Sequence, residues 1–476
     1  MKNTLVIGSG ITGLTSALLL AKKGRQVTLV EKLPHIGGLL NRFTRKGCRF
    51  DTGLHFTGGF DNILAQMLQY LNLQDDVKPA PIRSKALFAD DNTSIELPTT
   101  GLDALENTYS SIFPDYARQI HQYYEAEKNV IANTPIFDLE KLDRISVFSQ
   151  FTDFDHCTTD EFMDSIALDS PKLRALLPIL SLCHGTPPCE APFSYHCRCA
   201  FGMDSHLTAV EHGGDSFING FKRELAKYGA TICTSTWIER LVCNETTPEC
   251  HTAILNTGEA LDVDEIYFTI NPNAYIDLFP EAFIHPRLRK RVKRLLPTCS
   301  FITIYGTIDK EINAQNSLTF YLKGHNLNEI LLPGHGSSST GIVVSNDKMN
   351  PTTTFTAFHT RFLEDFLQQV QLDPNIPYNR QPSYLEYKEE CKQLLETEVL
   401  HAHPEFKGHL HIIDAGTPLT CQRFSPPTGS AYGTRQPLAT SRLLGKLPIQ
   451  NCYALGHHTY FPGILGSMLG AFIFIK

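Results

Sequence analysis

The feature that most constrains this chain is a glycine spacing close to its start. The short apolar run Thr4–Ile7 leads into Gly8-Ser9-Gly10-Ile11-Thr12-Gly13. Ile11, Leu14, Ala17, Leu18 and Ala21 then share one face of a helix that Gly24 stops, and Val27–Val30 forms a second strand that ends at Glu31. This is one βαβ unit. In it Gly8 permits the tight turn, Gly10 lets the backbone approach a pyrophosphate, and Gly13 lets the helix lie close to the strand with its N-terminus aimed at phosphate charge. Glu31 stands where a carboxylate accepts hydrogen bonds from ribose hydroxyls, and its charge disfavours a 2′-phosphate. The expected ligand of this turn is therefore a dinucleotide other than NADP.

A chain of 476 residues is long for a single core, and its texture alternates. Gly213-Gly214 opens a second helix with Phe217, Phe221 and Leu225 at four-residue steps, followed by the strand-like runs Ala230–Cys233, Ile238–Cys243 and Glu265–Ile270. Between the two regions the chain is helical in pattern from Asp115 to Ile131, and a second long insertion runs from Asn271 to about Lys407. The expectation is a discontinuous dinucleotide domain over 1–75, 207–272 and 408–476, with a substrate domain over 76–206 and 273–407. A formal charge of −8 gives no electrostatic reason to bind nucleic acid. Met1-Lys2-Asn3 runs straight into the first strand, and the 13 cysteines follow no secreted disulfide pattern. The expected location is the cytoplasm.

The segments after Glu31 carry the rest of the reading. Gly37-Gly38 is followed by Asp51-Thr52-Gly53-Leu54-His55-Phe56, and later by Gly185-Thr186-Pro187-Pro188 and Glu211-His212-Gly213-Gly214. Thr417-Pro418-Leu419-Thr420, the run Pro427–Gly433, Gly456 and Pro462-Gly463-Ile464 complete the series. In this order the motifs resemble the phytoene desaturase, carotenoid isomerase and retinol saturase branch of the amine-oxidase-like flavoproteins. Two positions depart from that branch: Phe56 replaces a tyrosine, and Gly456-His457-His458 replaces a Gly-Gln pair.

The resemblance implies an α/β fold of two domains, a Rossmann-like FAD domain of the glutathione reductase type and a mixed α+β substrate domain. It implies FAD held by Gly8, Gly10, Ile11, Thr12, Gly13, Glu31, Lys32, Gly37, Gly38, Asp51, Gly53, Gly456, Pro462, Gly463 and Ile464. His55 and His457 are its candidate catalytic groups. The implied reaction is saturation, desaturation or cis-trans isomerisation at a C=C bond of an apolar polyene or isoprenoid. An amine oxidase or protoporphyrinogen oxidase type of flavoenzyme, and a prenyl-binding escort protein without catalysis, are the alternatives. No second dinucleotide module is visible, so the redox partner stays open.

Two clusters invite other functions. Cys183, His184, Cys189, His196, Cys197 and Cys199 are residue types that bind zinc, but their spacing matches no standard pair of knuckles, so free thiols are expected and no metal. Arg287, Arg289, Lys290, Arg291, Lys293 and Arg294 surround Leu288, Val292 and Leu295 at helical spacing. A solvated helix face is the plainer expectation, and a peripheral contact with anionic lipid through Arg287–Arg294 is the functional one.

Overall fold

The structure is a computed structural model that describes residues 2–142, 152–244, 246–334, 336–424, 428–438, 445–456, 458–459 and 461–476. Its dinucleotide half is a six-stranded sheet in the order Gly445–Lys446, Cys452–Ala454, Glu265–Phe268, Asn3–Ile7, Gln26–Val30, Thr231–Cys233. The first strand pairs in parallel with two neighbours, Ile7 lying opposite both Phe268 and Val30. Strands buried on both faces need apolar residues at every position, which is why Leu5 and Val6 are both fully buried.

One face is covered by helices Ile11–Lys22, Gly214–Lys227 and Gly463–Ile475 through Leu14, Leu18, Phe217, Phe221, Leu469 and Phe472. Each such side chain contributes about 1.5–3 kcal/mol on burial. The other face packs on the small sheet Ile238–Cys243, Cys250–Leu255, Ala260–Asp262 and on the segment from helix Pro272–Tyr275 to helix Pro286–Lys293.

The second half is a seven-stranded sheet in the order Leu410–Gly416, Ser300–Ile308, Thr353–Arg361, Ser338–Ser345, Ser317–Lys323, Arg83–Phe88, Thr93–Leu97. Helices Leu363–Val370 and Pro382–Ala402 cover one face. Helices Leu102–Ile112, Ala117–Ala132 and Phe193–Ser205 contribute to the core on the other, where Phe193 and Phe162 stack at 4.1 Å.

Two expected boundaries move. Leu410–Gly416 pairs antiparallel with Ser300–Ile308, so residues 410–416 belong to the seven-stranded sheet and the chain returns to the dinucleotide half only later. Tyr275, Ile276, Phe279, Ile284 and Val292 are buried in one core with Leu5 and Ile266, so the segment after residue 272 stays with the dinucleotide half. Both shifts arise because an apolar strand or helix face fits either core until tertiary contacts select one.

Among the described residues no helix is long and apolar enough to cross a membrane. The basic helix Pro286–Lys293 turns Val292 inward, and Asp277 pairs with Arg289 at 2.5 Å and with Lys293 at 3.0 Å. Half-exposed pairs of this kind contribute little to stability.

Candidate functional site

The glycine turn divides its labour between fold and ligand. Gly8 holds φ +96°, and a Cβ there would come within 2.5 Å of Ile270; a Cβ on Gly13 would sit 1.9 Å from the carbonyl oxygen of Gly8. Those two glycines are demanded by the protein itself. Gly10 has an ordinary φ of −62°, and a Cβ on it would meet nothing within 4 Å. Nothing in the chain itself therefore demands glycine at position 10, which leaves its backbone open to close approach.

Around that open space the donors and small residues converge. The first-turn N–H groups of Ile11, Thr12 and Gly13 have no backbone acceptor, because the first helical bond is made from Leu14 to Gly10. Gly38 lies so close that its Cβ would be 3.0 Å from the Cα of Gly10. Gly456, at φ +109°, would place a Cβ 3.5 Å from Thr12 Oγ1, and that hydroxyl donates to the carbonyl of Ser467 at 3.2 Å. This bond brings the helix Gly463–Ile475 against the first helix, and the position beside Gly463 Cα is open as well.

Glu31 sits at the end of its strand and accepts from Ser9 N at 2.9 Å, Ser9 Oγ at 2.6 Å and Leu33 N at 2.9 Å. A carboxylate has about four acceptor positions, so one remains for a ribose hydroxyl. Donors at a helix start, an open glycine and a carboxylate at the next strand end fit the ADP half of FAD. Thr269, which the sequence reading passed over, donates to the carbonyls of Ile7 and Gly8 at 2.8 and 3.0 Å and locks the turn. Its position at the end of a recognisable strand run was the available signal.

Other candidate residues lie elsewhere. Lys32 is exposed. Asp51 is 3.2 Å from Arg42 and accepts from Gly214 N, and burial pushes its carboxyl up to about 6. It ties the hairpin Arg42–Asp51 to the start of the helix Gly214–Lys227. Gly53 packs under Leu39, where a Cβ would approach to 2.9 Å. His457 lies outside the described residues, while its neighbour His458 is buried 3.4 Å from Asn271 Nδ2.

His55 lies between the two halves, beside a cavity of about 30 Å³ also lined by Arg42, Asp51, Thr354 and Thr356. Its ring stacks on Phe358 at 5.1 Å, and desolvation lowers its pKa to about 4. At neutral pH it is an uncharged imidazole, able to donate or accept one hydrogen bond but not to store a proton. From Phe358 an aromatic wall continues to Phe301 at 5.2 Å and on to Tyr432 at 5.8 Å. His55, Cys183 and Tyr432 lie deep in the molecule yet keep accessible surface, as the walls of an interior space do. These wall residues come from five distant segments, and of them His55 and Tyr432 lie in motifs read from the sequence.

The zinc-like cluster forms a different arrangement. All of its cysteines are free, and His184 Nε2 meets His196 Nδ1 at 3.1 Å inside the core. Burial holds both imidazoles below their ordinary range, His196 at about 4.

Residues 6–71 match the model of the NAD(P)-binding Rossmann-like domain. All-trans-retinol 13,14-reductase of Danio rerio is 23% identical over 98% of this chain and 84% of its own length. The 4,4'-diapophytoene desaturase of Staphylococcus haemolyticus is 21% identical over 64% of this chain and 63% of its own. Among solved structures, an oxidoreductase from Methanosarcina mazei superposes with a TM-score of 0.68 at 14% identity, covering 98% of each chain.

Proposed function

We infer, from a chain that groups with the retinol saturase and phytoene desaturase flavoproteins, that this protein is an FAD-dependent oxidoreductase acting on C=C bonds of an apolar polyene or isoprenoid. One juxtaposition carries the reading. The open dinucleotide cradle at Gly10 is joined to the His55 segment by the close approach of Gly38 to Gly10 and of Gly53 to Leu39, and His55 begins an interior run of aromatic side chains, Phe358, Phe301 and Tyr432. When bound, FAD supplies hydride exchange with carbon.

The chain's own groups do the rest. The N–H groups of Ile11, Thr12 and Gly13 would face the pyrophosphate, Glu31 would take a ribose hydroxyl, and Gly38 and Gly456 would leave room beside them, whereas Gly37 serves the fold, since a Cβ there would come within 2.5 Å of Ile218. Pro462, Gly463 and Ile464, at the start of the last helix, would help to hold the flavin. Phe358, Phe301 and Tyr432 orient the alkene, gaining roughly 25 cal/mol per Å² of apolar surface removed from water, with no need of a charged anchor. His55, held neutral, positions substrate or a water by one hydrogen bond. Thirteen unbridged cysteines suit a reducing cytoplasm. Arg287, Lys290 and Arg294, which have no ion pair among the described residues, are positioned to meet anionic lipid where an insoluble substrate is collected.

The test is anaerobic. The purified protein is expected to be yellow, and carotenoids or retinoids delivered in liposomes should perturb its flavin spectrum while polyamines and aromatic amines leave it unchanged. Reduction by amines with no response to any polyene would reverse the assignment.

A further inference from the structure

Arg42 and Arg49 face more carboxylate than they can neutralise. Arg42 lies 3.2 Å from Asp51, 2.7 Å from Asp347 and 3.6 Å from Asp215, and Arg49 meets Asp215 at 2.8 Å. Two more titratable side chains border the group: His212, whose Nδ1 is 3.1 Å from Asp347, and Tyr305, packed edge-on against Phe50 beside Asp51. His212 is half exposed and holds φ +60°, a left-handed conformation that costs most side chains energy, while its carbonyl accepts from Arg42 at 3.1 Å. The turn thus keeps an imidazole at the surface in contact with Asp347, whose own side chain is 6% exposed.

The cavity of about 30 Å³ beside His55 is bounded by the same group, Arg42, Asp51 and Asp347. It has room for one water, with carboxylate, imidazole and threonine hydroxyl groups on the residues around it. Three carboxylates against two guanidiniums leave one acid without a counter-charge, and burial places the proton it takes up on Asp51, raised to about 6. Arg42 keeps its protons and cannot pass one on. His55 can, since a neutral imidazole accepts at one nitrogen while it releases from the other, and its ring stacks on Phe358 where the aromatic run begins. Fastening the two halves together needs neither an excess acid, nor a water-sized space, nor a surface histidine.

We propose that this cluster is the proton port of the substrate site: a water in the cavity passes a proton between Asp51 and His55, and Asp347 and His212 link it to solvent. The inference rests on the polyene reading above. Saturating a C=C bond adds a hydride, with its electron pair, to one carbon and a proton to its neighbour; forming the double bond removes both. The hydride is exchanged with the flavin, which leaves the proton to be carried by the protein. Phe358 and Phe301 have no titratable group, and burial keeps the Tyr432 phenol from ionising, so the aromatic run itself cannot carry it.

A polyene is mixed anaerobically with the FAD-loaded protein, reduced or oxidised, and the flavin absorbance is followed across the acid-to-neutral range at low and high imidazole buffer. From the reduced protein the rate should fall as pH rises through about 6, because protonated Asp51 is the donor, and from the oxidised protein it should rise. Asp51→Asn should lose this dependence and about a hundredfold in rate. His212→Asn, which tolerates the left-handed turn, should be slower at low buffer and recover with added imidazole, a rescue that a structural role would not show. Retained FAD, polyene affinity and melting temperature show that both variants are folded. A second readout needs no substrate: exchange of the His55 ring N–H with solvent, followed by NMR on histidine-labelled protein, should slow in both variants. An unchanged pH profile in Asp51→Asn, a His212→Asn rate indifferent to buffer, or equal N–H exchange in all three proteins each overturns the port and leaves the cluster a structural fastening. If no polyene exchanges hydride with the wild-type flavin, the polyene reading falls, and the N–H exchange alone decides whether the cluster conducts protons.

Discussion

The two halves of the molecule build their sites in opposite ways. The dinucleotide cradle is made of backbone: three glycines, the N–H groups of one helix turn and a single carboxylate, all within residues 8–31, completed by Gly456. The proposed substrate wall is made of side chains, with His55, Cys183, Phe301, Phe358 and Tyr432 arriving from segments up to several hundred residues apart. Phosphate recognition needs close approach to main-chain donors, which glycine spacing supplies locally. An apolar wall needs only bulk and shape, which many sequences supply and only packing selects.

That contrast can be broken most sharply at the glycines. Gly10→Val should remove FAD loading by two orders of magnitude or more while leaving the apoprotein folded, because the new side chain meets open space in the chain itself. Gly13→Val should lose the fold along with the cofactor, since even a Cβ there overlaps the carbonyl of Gly8. Absorbance of the flavin after gel filtration, set beside the melting temperature of each apoprotein, checks both. Full occupancy in Gly10→Val would refute the division between the glycine that serves the ligand and those that serve the fold.

The junction between the halves gives the next largest effect. Arg42 has a 1% exposed side chain and lies 3.2 Å from Asp51 and 2.7 Å from Asp347, which turns in from the seven-stranded sheet. Arg42→Ala leaves both acids buried without their counter-charge, and the expected loss is about 3–5 kcal/mol in denaturant unfolding. A loss below about 1 kcal/mol would mean that the two halves are held by apolar contact alone.

The smallest effect concerns pH. His196 keeps a pKa of about 4 in the folded protein against an ordinary 6.5, so the unfolded chain takes up a proton that the folded one refuses. Its contribution is present above about 6.5 and is lost as pH falls toward 4. Replacing it with glutamine should therefore change the melting temperature less and less as pH is lowered from 7 to 5. A difference that stays constant with pH would show that His196 is not held neutral.

The predicted helix Asp115–Ile131 is observed as Ala117–Ala132, the strand Ile238–Cys243 stands where alternation and turn residues placed it, and the expected strand Glu265–Ile270 is observed as Glu265–Phe268. The same reading misplaced Leu410–Gly416 and the segment from Asn273 to Lys293, because an apolar strand or helix face carries no label for the core it will join. It passed over Thr269, whose role depends on what stands opposite it.

By itself, then, the sequence determined the βαβ unit, its glycine turn and the carboxylate at Glu31, since all of these follow from local spacing and backbone geometry. Only the tertiary structure decided that burial holds His55 neutral and that Asp51 is spent on Arg42. The reason is physical: a charge state depends on desolvation and on the nearest charges, and both are set by residues far away in the chain.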